Sequence, residues 1–235
     1  MILDNLIDFC SDVIFPIFCV GCGQEGGWCC EQCLNKIKGD YMPSCPVCNR
    51  HNATGETCQS CLASSSLDGV TALFKYSEDE MVGKLLKQFK YNYARGIEAV
   101  LQKIITNWGG SLFDKEGKDR AVCLIPVPLH PRRERERGFN QSEILAKILG
   151  NRFSFSLDNA SLKRIRYTKQ QARLSGEQRR ENLRAAFLWV NKKSPPDRVL
   201  LIDDVFTTGT TMQECARVLK QAGVKQVWGW VLARG

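Results

Sequence analysis

The chain has 235 residues, 43% of them hydrophobic and 25% charged, an ordinary globular composition long enough for one large domain or a small domain beside a medium one. Its net charge of +8 is local: residues 129–185 hold fourteen Lys/Arg against six Asp/Glu, an excess equal to that of the whole chain. No run of eighteen apolar residues occurs, which excludes a membrane-spanning helix.

The first nineteen residues, MILDNLIDFCSDVIFPIFC, are apolar but are interrupted by Asp4, Asp8 and Asp12, and no basic segment precedes them. They do not read as an export signal. Ile2, Leu3, Leu6, Ile7, Cys10 and Ile14 instead fit one face of a short docking helix. A cytoplasmic location is therefore expected, in which thiols stay reduced.

Ten of the twelve cysteines lie between Cys10 and Cys61. That shift in composition, with LASSSL at 62–67 reading as a linker, predicts two units, 1–66 and 67–235. Within the first, four Cys-x-x-Cys pairs follow in order: Cys19/Cys22, Cys30/Cys33, Cys45/Cys48 and Cys58/Cys61. Two thiolates three positions apart in a tight turn reach one ion, and tetrahedral zinc needs four, so the pairs must combine in twos. Sequential combination leaves spacers of seven and nine residues, each suited to a ribbon hairpin. The expectation is two closed, structural zinc sites. Disulfides are disfavoured in a reducing compartment, and a redox motif would need a single pair beside a βαβ unit. His51 is a spare ligand type beside a complete cysteine set, and Cys10, Cys29, Cys123 and Cys215 read as ordinary thiols.

From Leu67 the pattern becomes α/β. A strand is predicted at 69–76 and a helix at 78–91, with Met81, Leu85, Leu86 and Phe89 on its buried face. A second helix follows at 97–108, then a buried strand at 121–128 stopped by prolines. Residues 138–150 read as a helix capped by Gly150, and 183–190 as a further strand. The apolar run 198–204 is a parallel strand covered on both faces. A helix at 212–223 buries Met212, Cys215, Ala216 and Leu219 before Gly223 ends it, and a closing strand spans 224–233. Alternating strands and helices imply a parallel sheet with ligands at the carboxyl ends of its strands.

The stretch VLLIDDVFTTGTT (199–211) carries the chemistry. Asp203 and Asp204 stand at a strand's carboxyl end, and a loop of Thr207, Thr208, Gly209, Thr210 and Thr211 leads into a helix whose N-terminus attracts anions. A phosphate in that loop, with a sugar's hydroxyls or a hydrated Mg2+ against the carboxylates, satisfies all these groups. The strand also looks like a Walker B segment, but the chain has no GxxxxGK[ST] loop. Simple helix capping needs only one of these polar residues.

This stretch resembles the phosphoribosyl-pyrophosphate motif of type I phosphoribosyltransferases. The wider chain resembles the ComF family, in which a zinc ribbon precedes a phosphoribosyltransferase-like domain and which is associated with natural competence. The matching segments are the Cys-x-x-Cys ribbons, LIPVPLHPRRERERGFNQSEILA, TKQQARLSGEQRREN with the following LRAAF, and LLIDDVFTTGTT. Two ribbons rather than one depart from the simplest members. The resemblance implies a type I phosphoribosyltransferase-like parallel sheet with an N-terminal double zinc-ribbon module. It implies that Asp203 and Asp204 hold the ribose hydroxyls and act at the catalytic centre, and that 207–211 hold the 5′-phosphate of phosphoribosyl pyrophosphate bound with Mg2+. The loop after the strand at 121–128 then becomes the pyrophosphate loop, with His130, Arg132, Arg133 and Arg137 as binding residues. Arginines suit a diphosphate, which they chelate bidentately; a solvated ion-pair stretch with Glu134 and Glu136 is the other reading of Arg135 and Arg137.

Three functions fit. One is a phosphoribosyl-pyrophosphate-binding protein of DNA uptake, with single-stranded DNA and a competence helicase as partners. The second is an active phosphoribosyltransferase on an unidentified nucleophile without a DNA role. The third is a zinc-ribbon adaptor with a regulatory phosphate site. The basic segment with Tyr167, Lys169, Arg173, Arg179, Arg180 and Arg184 suits either a nucleic-acid track or a loop over the pyrophosphate. The smaller cluster of Lys90, Tyr91, Tyr93 and Arg95 reads as helix surface with partly buried rings.

Overall fold

In the computed structural model, which describes residues 16–39, 42–91, 96–113, 122–167, 185–191 and 193–235, the apolar run becomes strand β6 (Arg198–Phe206) at the centre of a five-stranded sheet. Its neighbours are β7 (Gln226–Arg234) and then β1 (Gly69–Lys75) on one side, β2 (Cys123–Pro126) and then β3 (Ser156–Leu157) on the other. Every pairing is parallel.

Helices cover both faces, which is why β6 is apolar at successive positions rather than alternate ones. Leu200 and Ile202 pack with α2 (Met81–Tyr91), α3 (Ile97–Phe113) and α5 (Gln141–Phe153), through Leu85, Phe89, Leu101, Ile105 and Leu145. Val199 and Leu201 face α6 (Thr210–Ala222) through Met212, Cys215, Ala216 and Leu219. The helical faces predicted at 81–89 and 212–219 are thus the ones buried. A short helix α4 (Pro131–Arg137) follows β2.

Several expectations change. The strand expected at 183–190 is β5 (Phe187–Trp189), which leaves the main sheet to pair antiparallel with β4 (Leu162–Arg164) and packs against α6. Gly150 lies inside α5 rather than capping it: the helix continues to Phe153, whose ring meets Phe155, and the left-handed cap is Ser154 at φ 58°. Strand β6 runs two residues past the aspartates to Phe206, so Asp203 and Asp204 belong to the strand itself.

The cysteine-rich segment precedes the sheet as two similar hairpins. The first leads through α1 (Glu31–Leu34) to Leu34 and Ile37, which join the core formed by α2, α3 and α5. The second runs alongside β1: Glu56 bridges Gly69, and Val70 N–H donates to Gly55 C=O at 2.9 Å. The N-terminal helix with Cys10, the residues Tyr93 and Arg95, and the basic residues 169–184 lie outside the described residues. Among the described residues no helix is long and apolar enough to cross a membrane.

Candidate functional site

Four sulfur atoms converge in each hairpin. Those of Cys19, Cys22, Cys30 and Cys33 lie within 4.8 Å of one another, as do those of Cys45, Cys48, Cys58 and Cys61. Cys22 and Cys30 are 3.8 Å apart and Cys48 and Cys58 3.6 Å, far beyond a disulfide bond. A tetrahedron with metal–sulfur bonds of about 2.3 Å has edges of about 3.8 Å, so both cages fit zinc.

The knuckle geometry repeats. The residue after the second cysteine takes a left-handed conformation, Gly23 at φ 74° and Asn49 at φ 59°, and its N–H returns to the C=O of Cys19 or Cys45. Cys30 N–H points at Cys19 Sγ (3.4 Å) and Cys58 N–H at Cys45 Sγ (3.5 Å). Burial alone would raise the Cys19 thiol, but backbone N–H groups of Cys30, Cys22 and Gly21 bring it down to about 6. Cys45 falls to about 6 in the same way, through Cys48, Cys58 and Val47. The last thiol of each cage stays protonated to about 12, Cys33 through burial first and Cys61 through its hydrogen bond to Cys58. Cys19 in the first cage and Cys45 in the second are thus prepared as thiolates, the hydrogen bond with Ser60 lowers Cys58 as well, and a bound cation would draw off the remaining protons. Cys29 stands apart, its Sγ against Met81 Sδ at 3.6 Å and its pKa pushed to about 11 by burial. The exposed His51 takes part in the hairpin through its backbone bridge to Ser44.

At the carboxyl end of β6 the two aspartates are held from different helices. Ser142 Oγ donates to Asp203 Oδ1 at 2.8 Å. Lys90 Nζ lies 2.9 Å from Asp204 Oδ2, the pair being largely screened from solvent. Burial, then the neighbouring Asp204, lifts Asp203 to about 7 against the opposing pull of Ser142 and Lys90. Burial works against the charge of Lys90, yet Asp204, more than Asp203, leaves its pKa raised.

Beyond Phe206 the loop turns at Gly209, φ 69°, which is the N-cap of α6. Phe206's ring occupies the space a Cβ would fill there, so glycine is required by both backbone and packing. No side chain caps α6, so its first-turn N–H groups are available to an anion, and Thr208 and Thr210 hydroxyls sit 3.0 Å apart beside them.

The third segment follows β2. His130, predicted as a ligand residue, is the N-cap of α4: its Nδ1 accepts from Arg132 N–H at 3.2 Å. Arg132 ion-pairs with Glu136 at 3.0 Å, so the pairing expected around Arg135 and Arg137 falls one turn earlier. The Arg132 guanidinium lies 4.8 Å over the Tyr167 ring and that of Arg133 6.0 Å from it. Arg137 ends α4, before Gly138 at φ 82°. Asn140 caps α5 by accepting from Ser142 N–H at 3.1 Å and donates to Val127 C=O at 3.1 Å, which fixes Ser142 beside Asp203. A cleft of about 590 Å³ opens next to this loop, lined by Pro128, His130, Asn140, Glu143, Lys163 and Arg164 among others. Burial, then the nearby Arg133, holds the Arg164 guanidinium below its ordinary range. An anion entering between these cations would relieve that cost.

Residues 136–235 match the family described as "Phosphoribosyl transferase domain". Over 209 residues the chain is 32% identical to "Competence protein F" of Haemophilus influenzae, covering 87% of this chain and 90% of that protein. The chain belongs to the competence protein F family. Another relative is "Competence protein ComFC" of Bacillus subtilis, 28% identical over 199 residues, 83% of this chain and 78% of that protein. "DNA utilization protein YhgH" of Escherichia coli O157:H7 is 38% identical over 150 residues, 64% of this chain and 66% of that protein. In this ComF-family chain the phosphoribosyl transferase match takes in Arg137, Asp203, Asp204 and 207–211, and leaves His130, Arg132 and Arg133 before it.

The candidate site also contains residues whose part in it is not legible in the sequence. Lys90 read as helix surface; its position after the buried Phe89 was the available signal. Ser142 and Asn140 lie within the helix expected at 138–150, whereas α5 begins at Gln141 after Asn140, a preferred N-cap type. Arg164, in a three-residue strand, offers no periodicity to read.

Proposed function

We propose that this ComF-family chain binds phosphoribosyl pyrophosphate with Mg2+ and serves competence-related DNA uptake, as the names of its relatives suggest for them. The observation that carries the ligand is the uncapped N-terminus of α6 behind Gly209, following directly on the Asp203–Asp204 pair. The loop takes the 5′-phosphate, the two carboxylates the ribose hydroxyls, and Arg132, Arg133 and Arg137 the diphosphate with its Mg2+. Zinc is the metal proposed for the cysteine cages, since thiolate cages of this size and coordination suit it. The organisation proposed is residues 1–66 as the ribbon module and 67–235 as the phosphoribosyltransferase-like domain, in the cytoplasm.

Calorimetry with phosphoribosyl pyrophosphate and Mg2+ tests the ligand: binding is expected, and Asp203→Ala/Asp204→Ala is expected to abolish it. Unchanged affinity in that variant would overturn the assigned site. Single-stranded DNA binding that weakens with salt and survives the same double substitution would support a separate DNA contact.

The cleft favours a second reading, in which the chain transfers the phosphoribosyl group to a nucleophile. Its wall includes Asn140, whose side chain caps the helix start that presents Ser142 to Asp203, so an acceptor there would lie close to the sugar. Pyrophosphate released on adding amines or heterocyclic bases distinguishes turnover from binding; no release with any member of the panel leaves the binding reading.

A further inference from the structure

The loop 207–211, proposed above to hold the phosphate, is flanked by Phe206 and Gln213, and each of these is tied to the second cysteine hairpin or to the residues just after it. At the end of β7, Arg234 is 5% exposed. Its Nη1 donates to Ser44 C=O at 2.7 Å and its Nη2 to Cys45 C=O at 2.7 Å and Asn49 Oδ1 at 3.1 Å, clasping the Cys45/Cys48 knuckle from both sides. The same guanidinium lies 5.0 Å over the ring of Phe206, the ring packed against Gly209. In the first turn of α6, Gln213 Oε1 accepts from Ser66 N–H (2.9 Å) and Leu67 N–H (3.4 Å), and its Nε2 donates to Ser65 Oγ (2.9 Å). Ser65 follows directly on the 3-10 turn Gln59–Ser64 that carries Cys61. The Cys45/Cys48 knuckle is therefore tied to the start of the loop, and the residues directly after the turn of Cys61 to its end.

The first cage is placed differently. Its hairpin meets α2 through Cys29 and Met81, and Leu34 and Ile37 enter the core on the α2–α3 side of the sheet. The two cages thus have different neighbours although their internal geometry is the same.

We infer that the second cysteine cage and the phosphate loop form one coupled unit, joined by Arg234 and Gln213 as positioning residues. Loss of metal from Cys45, Cys48, Cys58 and Cys61 frees the knuckle that Arg234 holds, removes the support behind Phe206 and loosens the turn at Gly209. By reciprocity, an anion that orders the loop tightens that cage's hold on metal, and a knuckle that opens less often loses its metal more slowly. This inference rests on the reading that 207–211 bind a phosphate, and its test is arranged so that the two fail separately.

The zinc-loaded full chain would be challenged with a thiol-reactive mercurial, and zinc release followed with a chromogenic dye, with and without saturating phosphoribosyl pyrophosphate and Mg2+. Cys48→Ser restricts the signal to the first cage and Cys22→Ser to the second. The ligand is expected to slow release from the second cage about fivefold or more, the low end of coupling between sites, and to leave the first unchanged. Arg234→Met with Gln213→Ala is expected to abolish the protection, and Arg234→Lys, which keeps the cation, to restore part of it. Equal release with and without a ligand that calorimetry shows to be bound would overturn the coupling. If no binding is seen at all, the phosphate reading falls, and hydrogen exchange in the free protein decides the coupling. Amides of Gln213–Ala216, which begin with the N–H that donates to Gly209 C=O, should exchange faster in Cys48→Ser than in Cys22→Ser, and equal rates would overturn it.

Discussion

Asp203 and Asp204 are adjacent in sequence and held in opposite electrical situations. Asp204 has Lys90 at 2.9 Å, whereas Asp203 accepts from the Ser142 hydroxyl and from Asp204 N–H and is lifted to about 7, by burial first and then by Asp204. In the unfolded chain an aspartate titrates near about 3.9. Between these values the folded state holds more protons than the unfolded one, so this residue's contribution to stability declines as pH rises from about 4 through about 7. Asp203→Asn keeps the shape and removes the charge, and is expected to raise the melting temperature at pH 8 while leaving it unchanged near pH 4. Each 1 kcal/mol gained corresponds to about 2–4 °C in a chain of this size. Parallel melting curves of parent and variant across that range would reject the assignment. Lys90→Met should have the opposite effect at neutral pH, costing about 1–3 kcal/mol by leaving Asp204 without its cation. Asp204→Asn added to it should recover part of the loss, as a denaturant double-mutant cycle would show.

At the scale of elements, what could be read from the sequence depended on whether a local pattern had one physical cause. The run 198–204 could be read because burial on both faces selects successive apolar residues, Val199 to Ile202, before the charged end. The cysteine pairs could be read because metal geometry alone demands their spacing. The strand expected at 183–190 is present as β5, but its partner β4 was beyond such reasoning: three residues give no alternation, and the place of β5 against α6 is decided by tertiary packing. The end of α5 was misread because glycine is a frequent C-cap, while the contact of Phe153 with Phe155 extends the helix past it. Gly209 was placed in the right loop for an incomplete reason. Close approach to a phosphate was the expectation, but a positive φ and the Phe206 ring require glycine even without ligand. Gly209→Ala is therefore expected to cost about 1–3 kcal/mol in the free protein, the range for a side chain forced into a left-handed position. Chemical denaturation without any phosphate measures it, and a variant as stable as the parent would show that the turn rearranges freely.

At the scale of the molecule, the composition break near residue 66 marks a change in chemistry that core packing crosses. Leu34 and Ile37, 6% and 7% exposed, complete a core that also contains Phe74, Leu85 and Ile104. Gly39 packs against Trp108, whose ring meets Phe74 edge-on at 5.9 Å. On the second hairpin, Arg234 from the last strand satisfies three acceptors of the knuckle. A module attached in these ways supplies apolar surface to the sheet domain as well as taking support from it. Residues 67–235 alone would expose that core face to water and leave the Arg234 guanidinium without the knuckle's acceptors. Ile37→Ala in the full chain is accordingly expected to cost about 2–5 kcal/mol, the range for truncating a buried aliphatic in a single core. Metal analysis should return two zinc ions per chain in both parent and variant, which would separate a packing loss from a metal loss. Chelation should lower the melting temperature of the whole chain in one transition. If instead 67–235 melts at the temperature of the full zinc-loaded chain, the ribbon module is an appendage and the shared core has no energetic weight.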